Sequence, residues 1–135
     1  FSTSGTSHCK DYPSLPLEQL LAQADIVSVH APLNERTDAL IGEKELAMMK
    51  PSAYIVNMGR GGIVVEEALV KAVDEGVIAG AALDVYSVEP LPEDSCYLKA
   101  RHPERFRFAP HVAWASEEAR ARLLGMVAEN IANGW

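Results

Sequence analysis

Cysteine is scarce in this 135-residue chain. Cys9 and Cys96 lie far apart, form no CxxC pair, and have only His8, beside Cys9, at hand. Neither a disulfide framework nor a metal site is expected, and a reducing cytoplasm is the default setting. No apolar run approaches the ~18 residues that a membrane-spanning helix requires. The opening residues Phe1-Ser2-Thr3-Ser4-Gly5-Thr6-Ser7 are polar and lack a basic start, so no signal peptide is read there. Basic residues are few, 12 Lys and Arg against 19 Asp and Glu, for a formal net charge of −7. A nucleic-acid or anionic-membrane partner needs a basic footprint, which this composition does not supply. Repeats and low-complexity segments are missing too, and the length suits one domain.

What is present is an alternation of short apolar runs with amphipathic segments. Leucines at 17, 20 and 21 give residues 16–24 one apolar side, a short helix with Pro near its start. Residues 26–30 read as a strand closed by Pro32, and 43–50 as a helix stopped by Pro51. A strand over 54–58 leads to a helix over 65–75 that Gly76 ends. Residues 79–85 form a strand, 86–105 mostly loop, and 107–109 a brief strand. Ser116 caps a final helix with Glu117 and Glu118 in its first turn, ending near Gly134. Strands alternating with helices predict an α/β fold with a parallel sheet covered on both faces and joined by right-handed crossovers.

The most informative stretch is Asn57-Met58-Gly59-Arg60-Gly61-Gly62. It follows the strand-like Ala53-Tyr54-Ile55-Val56 and precedes a helix, half of a βαβ unit. Ligands of open α/β sheets bind beyond the carboxyl ends of the strands, where Arg60 would sit. Glu89 lies shortly past the 79–85 strand and His111 follows Phe106-Arg107-Phe108-Ala109-Pro110. An Arg, a Glu and a His would therefore gather along one sheet edge. A dinucleotide-binding sheet normally opens with a strand and a G-x-G-x-x-G loop feeding a helix N-terminus. No such loop occurs here, so the sequence reads as the later part of a Rossmann-like doubly wound sheet, lacking the first strands and the Gly-rich loop.

Three motifs carry a family resemblance: Asn57-Met58-Gly59-Arg60-Gly61, Leu83-Asp84-Val85-Tyr86-Ser87-Val88-Glu89-Pro90, and Pro110-His111-Val112-Ala113-Trp114-Ala115. In this order, each after a predicted strand, they resemble the D-isomer-specific 2-hydroxyacid dehydrogenases, leaning toward the glycerate/hydroxypyruvate branch. Ala24-Asp25-Ile26-Val27-Ser28-Val29-His30-Ala31-Pro32-Leu33-Asn34 and Met49-Lys50-Pro51 support it. The resemblance covers residues 15 to about 130. It implies that 1–115 form the later part of an NAD(P)-binding domain. Residues 116–135 would lead back toward a substrate domain. It also implies a homodimer in the complete protein. Ser2 falls where NAD-preferring members often hold an acid, which leaves NAD and NADP both open.

The resemblance implies roles residue by residue. Arg60 binds the carboxylate and keto oxygen of a small 2-keto acid, for which a guanidinium offers a rigid bidentate fork. His111 is the general acid toward the keto oxygen and the base in reverse. Glu89 holds the imidazole and favours its charged form. Asp84 contacts the nicotinamide end of the cofactor, His30 and Pro32 line the cofactor cleft, and Asn57 orders the Arg60 turn through its amide. Each has a plainer alternative: a surface Arg in a Gly turn, a satisfied strand-end His, a solvated loop acid, a strand-terminal cap. Trp114 and Trp135 are expected to pack, and Glu66, Glu67 and Glu75 to form a solvated helix face. Two other readings remain beside the dehydrogenase: a cofactor-sensing interaction module of the corepressor kind, and a half-domain inert by itself.

Overall fold

The computed structural model describes residues 1–4 and 11–134. The expectations for His8, Cys9 and Trp135 fall outside the described residues. Helix α1 spans Leu17–Gln23, strand β1 Ile26–Val29, helix α2 Glu43–Leu46, strand β2 Tyr54–Asn57, helix α3 Glu66–Asp74 and strand β3 Gly80–Leu83. Two 3-10 turns, Cys96–Lys99 and Pro103–Arg105, precede strand β4, Phe106–Phe108, and helix α4 spans Glu117–Ala132. The four strands are parallel in the order β1-β2-β3-β4, with Ile26 opposite Tyr54, Tyr54 opposite Gly80 and Ala81 opposite Phe106.

Local chemistry sets the boundaries. Helix α3 carries Glu66 and Glu67 in its first turn, where the helix dipole favours an acid. It stops at Gly76, whose φ of 73° only glycine adopts freely. The Gly76 N–H donates to Val73 O and the Val77 N–H to Ala72 O, the paired bonds of a Schellman cap. Helix α4 is capped as the sequence suggests, with the Ala119 N–H donating to Ser116 Oγ at 3.1 Å. Helix α2 is shorter than the expected 43–50, because residues 47–49 close as a turn before Pro51.

Among the described residues the sheet is covered on one face, not on both as the alternation suggests. Every strand lies beside its predecessor, so right-handed crossovers all advance the same way and deliver α2 and α3 to the same side. On that side Val27, Val29, Ile55, Ala81, Leu83 and Phe106 pack against Leu21, Leu46, Leu69 and Val73, forming the core. The opposite side shows Ile26 at 65% and Tyr54 at 50% exposure. Helix α4 buries none of its residues, and Leu123, Leu124, Val127 and Ile131 stay exposed.

Candidate active site

Parallel strands end at a common edge, and the chemistry-bearing residues collect there. His30 follows β1, Asn57 closes β2, Asp84 follows β3, and Ala109-Pro110-His111 follows β4. The ladder continues past the strand ends through Met58 N–H to Val29 O, Asp84 N–H to Asn57 O and Ala109 N–H to Leu83 O.

Arg60 is held by packing on both sides. A Cβ on Gly59 would lie 2.7 Å from Ala31 O, and one on Gly61 would lie 2.0 Å from the Tyr86 carbonyl. Only glycines let this turn pass between the loop after β1 and the loop after β3. Asn57 is 2% exposed. Its Oδ1 accepts the Gly59 N–H at 3.1 Å and its Nδ2 donates to Arg60 O at 3.0 Å. The expected ordering of the Arg60 turn by this amide is therefore present. The Arg60 side chain is exposed and donates one bond to Gly59 O at 2.8 Å, leaving most of its donors open. Arg60, His30, Pro32, Leu33 and Met58 line one recess of about 510 Å³. His30 also meets Ser28, its Nε2 lying 2.8 Å from Oγ.

His111 and Glu89 form a pair, with Nδ1 2.7 Å from Oε2. An ionised carboxylate only accepts, so Nδ1 carries the hydrogen and Nε2 is the atom free to take or give a proton. Glu89 also accepts the Tyr86 N–H at 3.0 Å. Its carboxyl is held below its ordinary value because the imidazole donates to it and the Tyr86 N–H adds to this, outweighing desolvation; the charges of His111 and, least, Arg60 act in the same direction. Glu89, His111, Tyr86, Pro90, Leu91 and Phe108 line a second recess of about 400 Å³. The predicted triad thus divides into a bonded Glu–His pair and a neighbouring Arg.

The structure adds supports that pattern reading missed. Tyr86 Oη donates to Ala109 O at 2.9 Å, fixing the chain just before Pro110-His111. Tyr86 in turn packs edge-on against buried Tyr97, which meets Phe106 and Phe108. Glu66, expected on a solvated face, instead accepts the Ser87 N–H at 2.7 Å and pins the loop that carries Glu89. Trp114, expected to pack, is 59% exposed and donates from Nε1 to His111 O at 2.8 Å. Tyr86 and Glu66 gave no periodic signal, since each acts on a loop more than twenty residues away. Asp84 is 6% exposed, and its carboxylate accepts the N–H groups of Val112 and Ala113, each at 2.8 Å.

Among the described residues no cluster of His, Cys, Asp or Glu could hold a metal ion, and no helix is long and apolar enough to cross a membrane. An acid–base pair and a free guanidinium at the carboxyl edge of a parallel sheet suit polarising and protonating a carbonyl beside a carboxylate.

Comparison with known proteins identifies the family. The family described as D-isomer specific 2-hydroxyacid dehydrogenase, NAD binding domain, matches residues 2–113. The glyoxylate reductase of Korarchaeum cryptofilum is 50% identical over 117 residues, which are 87% of this chain and 34% of that protein. Glyoxylate/hydroxypyruvate reductase B of Yersinia pestis is 39% identical over 129 residues, covering 96% of this chain and 37% of that protein. The solved D-isomer specific 2-hydroxyacid dehydrogenase of Xanthobacter autotrophicus, in complex with NADPH and MES, superposes with a TM-score of 0.66 at 38% identity. That superposition covers 72% of this chain and 30% of the solved one. The chain spans about a third of the length of the curated relatives it matches. Its sheet is the partial Rossmann-like one that the sequence suggests, and the chain belongs to the D-isomer-specific 2-hydroxyacid dehydrogenase family, within the NAD-binding domain.

Proposed function

We propose that the protein carrying this chain reduces a small 2-keto acid, of the glyoxylate or hydroxypyruvate kind, to the D-2-hydroxy acid with NADH or NADPH. The observation that carries the reading is the 2.7 Å bond between His111 and Glu89 at the strand edge that also presents Arg60. Residues 1–115 act as the later part of the cofactor domain, and 116–135 lead back toward a substrate domain.

The recess beside β1 and β2 fits the nicotinamide end of a cofactor. It is open, lined by apolar Pro32, Leu33 and Met58, and carries one cation, a setting for a flat, partly apolar ring beside an anionic substrate. His30, Pro32, Asn57 and Asp84 are the residues that border or shape that end. NADH or NADPH held there would supply the hydride for the keto carbon. Arg60 holds the substrate carboxylate and draws charge from the keto oxygen. His111 Nε2 delivers the proton to that oxygen, and Glu89 stabilises the imidazolium beforehand and fixes its tautomer. In the reverse direction the same nitrogen accepts the proton. An acidic chain with these features calls for no nucleic-acid or membrane partner; a cytoplasmic homodimer is the expected setting.

The test is turnover of glyoxylate and hydroxypyruvate by the complete protein with NADH and with NADPH. His111→Gln should cut turnover about a hundredfold or more, while Arg60→Lys should mainly raise the KM for the keto acid, by about tenfold. Near-normal turnover in the His111 variant would remove the acid–base assignment. Absence of reduction with intact cofactor binding would favour the interaction-module reading.

A further inference from the structure

We propose that Asp84 is a positioning residue for His111. It clamps the turn that follows β4 and so sets where the imidazole points. This goes beyond a contact with the cofactor and rests on the acid–base role given to His111 above.

His111 has a φ of 55°, a left-handed conformation that costs a residue with a Cβ. Such a conformation persists only where its surroundings hold it. The two N–H groups after His111, those of Val112 and Ala113, converge on the two oxygens of one carboxylate, each at 2.8 Å. Successive N–H groups next to a left-handed residue form a concave anion-binding nest, and here the anion is Asp84. The clamp is itself anchored. Asp84 is 6% exposed, and its own N–H donates to Asn57 O at 3.0 Å, the end of the neighbouring strand. On the other side of His111, Tyr86 Oη holds Ala109 O at 2.9 Å. With the backbone fixed before and after, the remaining freedom of the ring is taken by Glu89. No cation partners Asp84 in any hydrogen bond or ion pair among the described residues, so the carboxylate is committed to the turn.

Asn57 does for the Arg60 turn what Asp84 does for the His111 turn. Each is a buried polar side chain at or just past a strand end that fastens the next loop carrying chemistry.

The test is Asp84→Asn in the complete protein. An amide of the same shape replaces one accepting oxygen with a donor, so one N–H loses its partner. Turnover should fall about tenfold, because a mis-set imidazole couples less well to Glu89. In a His111→Gln background the same change should cost less than about twofold, since the residue it acts through is gone. An equal loss in both backgrounds would overturn the proposal and assign Asp84 to the cofactor or to the fold alone. A second readout needs no turnover: the NMR signal of the His111 Nδ1 proton, identified by its loss in His111→Gln. It should broaden or shift in Asp84→Asn while the amide spectrum elsewhere is kept; an unchanged signal would overturn the proposal. Should Asp84→Asn fail to fold, Asp84→Glu keeps the charge but displaces it by one methylene and is read by the same signal. If the signal responds but no 2-keto acid is reduced, the functional reading fails and the clamp stands.

Discussion

At the scale of single residues, the site is built by what two glycines leave out. Gly61 lies against the Tyr86 backbone with no room for a side chain, the ideal Cβ falling 2.0 Å from the carbonyl carbon. Backbone cannot yield as a side chain can. Gly61→Ala should therefore force the Arg60 turn and the Glu89 loop apart, at a cost of about 1–3 kcal/mol. It should also weaken substrate binding far more than Gly125→Ala, whose Cβ would meet nothing within 4 Å. Denaturant midpoints and KM values for the pair check this; equal effects would show the close approach to be unimportant. Much at this scale was legible beforehand. Arg60, Glu89 and His111 each follow a strand, so a reading of strand ends located them. The clamp from Asp84, the Tyr86 hydroxyl and Glu66 were not legible, because each bond joins residues more than twenty positions apart and no local pattern encodes such a contact.

At the scale of elements, α3 is tied by its last residue to the edge of the sheet that carries β4. Asp74 Oδ1 accepts the N–H groups of Arg101 and His102, at 2.9 and 3.0 Å, holding the chain that enters β4. Desolvation pushes the Asp74 carboxyl up, but those two N–H groups and the Arg101 charge outweigh it, and the net value is lowered. A carboxyl lowered by folding stabilises the fold fully above its ordinary range and loses that contribution as pH falls through the lowered value. Asp74→Asn should accordingly cost about 1–3 kcal/mol near neutrality and flatten the fall in stability between neutral pH and strong acid. Denaturant midpoints across that range decide it; parallel pH curves for the two proteins would exclude the clip as a pH-sensitive element. The helices themselves were well marked in sequence by Pro16, Gly76 and Ser116. The sequence marks 86–105 as mostly loop, yet the segment holds the Cys96–Lys99 turn that buries Tyr97 beneath the β4 phenylalanines.

For the whole molecule, the feature that matters is the uncovered side of the sheet. Alternating strands and helices imply two covered faces only if the strand order reverses somewhere, and in β1-β2-β3-β4 it does not. Ile26 and Tyr54 are left exposed there, and among the described residues β1 is paired on one side alone. A groove of about 520 Å³ lies at that edge, lined by residues 1–4, by Ser28 and His30, and by the apolar Leu17, Leu20, Val27, Val29 and Ile41. An edge of this kind templates pairing with other chains. The 135-residue polypeptide, produced alone, should self-associate with rising concentration, turn over no substrate and hold cofactor weakly. Ile26→Lys should lower the association by placing a charge on the exposed side of the edge strand. Sedimentation velocity over a concentration series measures it, and a monomer at all concentrations would count against an adhesive edge.

The same strand order has a bearing on synthesis. When β2, β3 and β4 each leave the ribosome, the strand each will pair with has already been made. None has to wait for a later segment or wedge between two strands already joined, so the sheet can lengthen by one strand at a time in the direction of translation.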